Sequence, residues 1–106
     1  MYKVYIAGKI TGDPDYQIKF TAYEQAYISK GWTVLNPARL PSNMQPADYM
    51  RICLAMIDSA DIVIFLPDYE ESPGAMLEYS YCKYINKHTA FVSKENAKER
   101  ITLNES

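Results

Sequence analysis

The run DIVIFLP, Asp61 to Pro67, constrains this chain most. Its apolar stretch is too short for a typical helix and offers water no polar face, so it reads as a central parallel strand covered on both sides. Such a strand needs parallel neighbours and helical crossovers, and the apolar period along the chain switches repeatedly to supply them. Residues 2 to 7 (YKVYIA) alternate as a strand, 14 to 30 have helical spacing, and 32 to 36 (WTVLN) form a second strand, with Gly31 ending the helix and Pro37 the strand. After the Pro-rich ARLPSNMQP, residues 47 to about 59 place Met50, Leu54 and Ile57 on one helical face. A third helix is expected over 73 to 87, with Pro73 tolerated in its first turn, and a fourth strand over 88 to 92.

This alternation argues for right-handed crossovers and an α/β fold, a flavodoxin-like or Rossmann-like three-layer sandwich around a four- to five-stranded parallel sheet. One domain is expected over residues 1–93, followed by a polar C-terminal tail, 94–106, read as a short helix, an edge strand or a mobile end.

Composition narrows the function classes. Charged residues make 23% and apolar ones 48%, as in water-soluble globular proteins, and no apolar run approaches the ~20 residues of a membrane span. The start, MYKVYIAG, lacks the pattern of a secretory signal, so a cytoplasmic protein with no membrane partner is expected. Net charge is −2 with scattered basic residues, which disfavours nucleic acid as a partner. Cys53 and Cys82 stand far apart beside a single histidine, a spacing unlike a zinc site or a disulfide framework, so both read as small buried side chains. No metal or cofactor is expected.

In open α/β sheets ligands bind at the carboxyl ends of the strands, where strand order reverses. Two loops fall there. AGKITGDPDY follows the first strand, with Gly8 and Gly12 for tight turning and Lys9 and Thr11 as donors. SPGAMLEYS follows the third, where Ser72, Gly74 and the first helical amides can meet an anion. Neither a GxGxxG fingerprint nor a GxxxxGKS/T loop is present, which disfavours ordinary dinucleotide and P-loop chemistry. Asp68, Glu70 and Glu71 read as a solvated acidic loop at the mouth, a poor match for a polyphosphate. Tyr79, Tyr81 and Tyr84 read as core or interface residues, and His88 is given no catalytic role.

YIAGKITG, NPARLP, YMRICLAMIDSADIVIFLP and SPGAMLEYSYC, in this order, resemble the nucleoside 2-deoxyribosyltransferase-like superfamily, in particular its short phage and prophage branch, and through it the 2'-deoxynucleoside 5'-phosphate N-hydrolases. The resemblance covers roughly residues 2 to 92. It implies a flavodoxin-like domain that works as a homodimer or larger homo-oligomer, with a neighbouring chain helping to close each site. It makes Glu78 the catalytic nucleophile that attacks the anomeric carbon of a nucleoside or nucleotide. It implies substrate contacts from Tyr5, Gly8, Lys9, Ile10, Thr11 and Gly12 in the first loop, from Cys53, and from Ser72, Gly74 and Ala75. Ser72 matches the serine that binds a 5'-phosphate in the hydrolases, where the transferases carry an aspartate that protonates the leaving base.

The chain departs from the pattern at Cys53. Related sequences carry an aspartate there that holds the sugar hydroxyl and orients the nucleophile, and a thiol has neither its charge nor its two acceptor oxygens. Two readings follow for a protein whose partner is a nucleotide or nucleotide-derived small molecule. One is an enzyme that cleaves or transfers the N-glycosidic bond of a (deoxy)nucleotide. The alternative is a catalytically weak phage protein that binds and sequesters a nucleotide-derived signalling molecule. A third, blander reading is an interaction protein that merely uses the fold.

Overall fold

The computed structural model describes residues 1–94 and the backbone of residues 103–105. Its elements follow as β1 (Lys3–Ala7), α1 (Tyr16–Ile28), β2 (Thr33–Leu35), α2 (Pro46–Ser59), β3 (Ile62–Phe65), α3 (Pro73–Tyr84), β4 (Thr89–Val92) and β5 (Leu103–Glu105), with short 3-10 turns at Pro37–Arg39 and Tyr69–Glu71. The sheet order is β2-β1-β3-β4-β5. The first four strands are parallel, with Val4 beside both Val34 and Ile62, and Ile64 beside Ala90. This is the flavodoxin-like order, and the expected α/β class holds.

β5 runs antiparallel to β4, pairing Val92 with Leu103. Residues 93–102 are too few for the helical crossover that a parallel fifth strand needs. Of the options left open for the tail, 103–105 take the edge strand; residues 95–102 and 106 lie outside the described residues. The third helix stops at Tyr84, three residues short of the expected end. There Asn86 turns into the left-handed region (φ 57°) and the Lys87 amide closes on the Cys82 carbonyl at 2.8 Å. No helix among the described residues is long and apolar enough to cross a membrane.

β3 is central for the reason its sequence suggests. Its alternate residues enter two cores: Ile62 and Ile64 join Val4 and Ile6 against Phe20, Tyr23 and Tyr27 of α1, while Val63 and Phe65 join Tyr5 and Ala7 against Cys53 and Ile57 of α2 and Cys82 of α3. Full burial of such side chains stabilises by roughly 1.5–3 kcal/mol each. α1 thus lies on one face of the sheet, and α2 and α3 share the other. The buried Glu24 of α1 is bolted to the chain after β2. It accepts from the Asn36 amide at 2.7 Å and from both sides of the Arg39 guanidinium at 2.8 and 2.6 Å, and the Arg39 bonds hold it below the usual carboxylate range.

Candidate functional site

From β1 the chain steps to β2 on one side and then, through α2, to β3 on the other. The reversal therefore lies between β1 and β3, and in such sheets ligands bind in a crevice beyond the carboxyl ends of the strands at this point. The chain segments that leave β1 and β3 there are locked together. The Leu66 amide donates to the Ala7 carbonyl at 2.8 Å, and the Lys9 amide donates to the Asp68 carboxylate at 3.1 Å. Gly8 makes this approach feasible, since a Cβ there would lie 2.9 Å from Leu66 Cδ1, 3.1 Å from Leu66 Cβ and 3.2 Å from Asp68 Oδ1. Gly8→Ala is expected to cost about 1–3 kcal/mol through overpacking, read as a lowered midpoint in urea unfolding; an unchanged midpoint would show that the loops part without penalty.

Glu78 is 6% exposed and lies in the second turn of α3, inside the helix and not in the turn before it. The helix macrodipole acts mainly on the first turn, so it does not account for an acid at this depth. α3 starts where it does because Ser72 caps it: its Oγ accepts the Ala75 amide at 3.1 Å, and Pro73 fills the first helical position. That start fixes which helical face meets the sheet, and Glu78 falls on it with Ala75 and Cys82.

There Glu78 meets two side chains remote in sequence. The Tyr5 hydroxyl of β1, itself 1% exposed, donates to Glu78 Oε2 at 2.8 Å. The Cys53 thiol of α2 lies beside both Tyr5 and Glu78. Burial pushes the Glu78 carboxyl up to about 7, against the opposing pull of the Tyr5 hydroxyl and the Cys53 thiol. Burial likewise raises the Cys53 thiol to about 11 and Tyr5 well above the phenol range, so both keep their protons at neutral pH. Neither of these two neighbours is a cation. A carboxyl poised near neutrality in a dry site can attack as the anion or give up a proton as the acid.

The other sequence-derived residues take distinct places. Gly74 and the buried Ala75 begin α3, and a Cβ at Gly74 would meet only Met50 Cε and Ser72 Oγ, each at 3.9 Å. Ser72 spends its acceptor on the Ala75 amide, which leaves its hydroxyl hydrogen to donate. Thr11 and Gly12 stand exposed at the loop tip, Gly12 with φ +85°. Ile10 packs on the α1 side of the sheet, against the core opposite Glu78. Lys9 lies at the mouth with its ammonium 3.5 Å from Glu71. Neither flanking acid of α2 turns to Glu78: Asp48, in the first turn, pairs with Arg51, and Asp58 accepts from the Tyr81 hydroxyl. Tyr79 packs among Phe65, Tyr69 and Phe91, whereas Tyr84 is 91% exposed.

Asp68 corrects the picture of a solvated acidic loop. It is partly buried and holds both the Lys9 amide and the Lys19 ammonium, while Glu70 and Glu71 are exposed as expected. Lys19 was not singled out in the sequence; a lysine four residues into a helix whose entry loop carries acids was the available signal. Among the described residues no three His, Cys, Asp or Glu side chains gather as a metal site would require, and both cysteines are free and buried.

No curated protein matches the chain. The family model described as a domain of unknown function (DUF4406) matches residues 2–91, which is most of the chain, and the protein belongs to that family.

Proposed function

We propose that the crevice binds a (deoxy)nucleoside monophosphate and that Glu78 cleaves or transfers its N-glycosidic bond, in the manner of the nucleoside 2-deoxyribosyltransferase-like proteins the sequence resembles. One observation carries the reading: a buried carboxyl, raised to about 7 and held by the Tyr5 hydroxyl, at the strand-order reversal of a flavodoxin-like sheet. Ionised Glu78 attacks C1', the C1'–N bond breaks, and the base leaves with the electron pair and takes a proton from water. Water or a second base then displaces Glu78 from C1', which divides one hard displacement into two easier ones. Tyr5 and Cys53 hold the carboxylate in line, and the Ser72 hydroxyl with the 8-to-12 loop holds the phosphate. Glu70 and Glu71 at the mouth favour one phosphate over a polyphosphate. Met76, Leu77 and Tyr84, apolar and exposed on α3, support assembly with a second copy.

A second reading has an observation of its own. Retaining glycosidic chemistry ordinarily uses two carboxylates, and where the related sequences carry an aspartate the neighbour of Glu78 is the Cys53 thiol. A pocket so altered would keep its ligand and lose turnover, as a protein that sequesters a nucleotide-derived signal does. Incubation of the purified protein with ribo- and deoxyribonucleotides and with cyclic or ADP-ribose-like nucleotides separates the two by chromatography and mass spectrometry. Free base with turnover establishes the enzyme, intact stoichiometric ligand recovered after denaturation establishes the trap, and neither product nor retained ligand refutes both.

A further inference from the structure

Lys19 stands outside the Glu78 cluster, and nothing in the nucleotide reading assigns it a task. Its ammonium has three hydrogens and three acceptors from three parts of the chain: the Lys9 carbonyl at 2.8 Å, Asp13 Oδ2 at 2.6 Å and Asp68 Oδ2 at 2.5 Å. The other oxygen of Asp68 accepts the Lys9 amide. Lys9 is therefore held at both its amide and its carbonyl, and Asp13, at the far end of the loop, is drawn to the same cation.

The three charged side chains are 20–23% exposed, which screens them less than an open surface pair. The bond to Lys19 holds Asp13 below the usual carboxylate range. Without the Lys19 ammonium, Asp13 and Asp68 would face each other and any phosphate with only the Lys9 ammonium near, itself paired with Glu71. Like charges at that separation would push the two loops apart.

We propose that Lys19 is a positioning residue: with Asp68 it clips the β1–α1 loop to the β3–α3 loop and cancels their carboxylates, which fixes the two loops that would meet the anion at the carboxyl ends of β1 and β3. The clip itself is independent of the ligand; its consequence for binding rests on the nucleotide reading above. Losing the clip therefore harms a nucleoside monophosphate more than the corresponding neutral nucleoside. A purely structural lysine would harm both alike.

The test compares Lys19→Met, Lys19→Arg and Asp68→Asn with the parent. Amide hydrogen exchange in the ligand-free protein reads the clip, with residues 62–65 as the internal reference. Lys19→Met and Asp68→Asn are expected to speed exchange in residues 8–15 by about tenfold or more while leaving the reference strand unchanged, as local opening does, and Lys19→Arg is expected to restore protection. With a deoxynucleoside monophosphate, KM, or Kd if the protein is a trap, is expected to rise about tenfold in Lys19→Met, against less than about threefold for the nucleoside and for kcat. Unchanged exchange in both charge-removing variants overturns the clip. Faster exchange with equal losses for monophosphate and nucleoside overturns the positioning role. A parent that neither binds nor cleaves any nucleotide refutes the nucleotide reading and the anion contact it needs, while the exchange comparison still decides the clip.

Discussion

Glu78→Ala is expected to abolish release of free base, with kcat falling by about 10³-fold or more, because in the proposed reading this carboxylate is the group that attacks C1'. Nucleotide affinity should stay within about tenfold, since the loops that hold the phosphate do not depend on this carboxylate. In the parent, kcat/KM should climb with pH through about 7, as the buried carboxyl ionises in the free protein. An ordinary carboxylate, near 4.5, would already be saturated there. Unchanged hydrolysis in Glu78→Ala would sink the nucleophile assignment, and a rate flat between pH 5 and 8 would place the reacting group elsewhere.

The same carboxyl should set a stability cost that needs no substrate to measure. A carboxyl raised from its ordinary 4.5 to about 7 keeps its proton in the folded chain when the unfolded chain has already lost it. Between those values the folded state binds more protons, so stability falls as pH rises through the window, and the stabilising contribution is complete only below about 4.5. At about 1.4 kcal/mol for each pH unit, the cost above pH 7 is about 3–4 kcal/mol. Glu78→Gln is uncharged at every pH and retains an acceptor for the Tyr5 hydroxyl. It should match the parent near pH 4.5 and exceed it by that amount at pH 8 in chemical unfolding. Parallel curves for the two proteins from pH 5 to 8 would show that Glu78 ionises normally despite its burial. A function that needs an anion at this depth explains why the chain would bear such a cost, since sites built for chemistry commonly give up stability.

Cys53 illustrates what family resemblance and structure each add. The resemblance marks the position as altered. The structure shows what the alteration leaves: a neutral thiol, raised to about 11, beside a carboxyl that gains no positive neighbour. The thiol stands beside Glu78, as the Tyr5 hydroxyl does, but adds no second carboxylate. The choice between enzyme and trap therefore turns on whether one carboxyl in this setting suffices.

Much of the fold was legible because periodicity is local. The run at Asp61–Pro67 named β3, the switch from period two to helical spacing named the helices on either side of it, and Gly31 and Pro73 sit at helix ends for reasons visible in two or three residues. The tail was not legible, because edge-strand pairing depends on an open partner beside it, which β4 provides, and not on the tail's own pattern.

The sequence by itself determined the order of elements and the two glycine-containing loops after β1 and β3, while the strand order that reverses between them, and so sets a crevice there, came from the tertiary structure. Only the tertiary structure decided what that crevice contains. Tyr5 and Glu78 are 73 positions apart and meet because one faces inward from the central sheet and the other from a helix whose phase Ser72 and Pro73 set. Lys19 and Asp68 are 49 positions apart and bond because Gly8 lets two loops approach to van der Waals contact. Burial, which moves Glu78 toward neutrality, belongs to neither residue alone. It arises from packing, and packing joins residues the chain order keeps far apart.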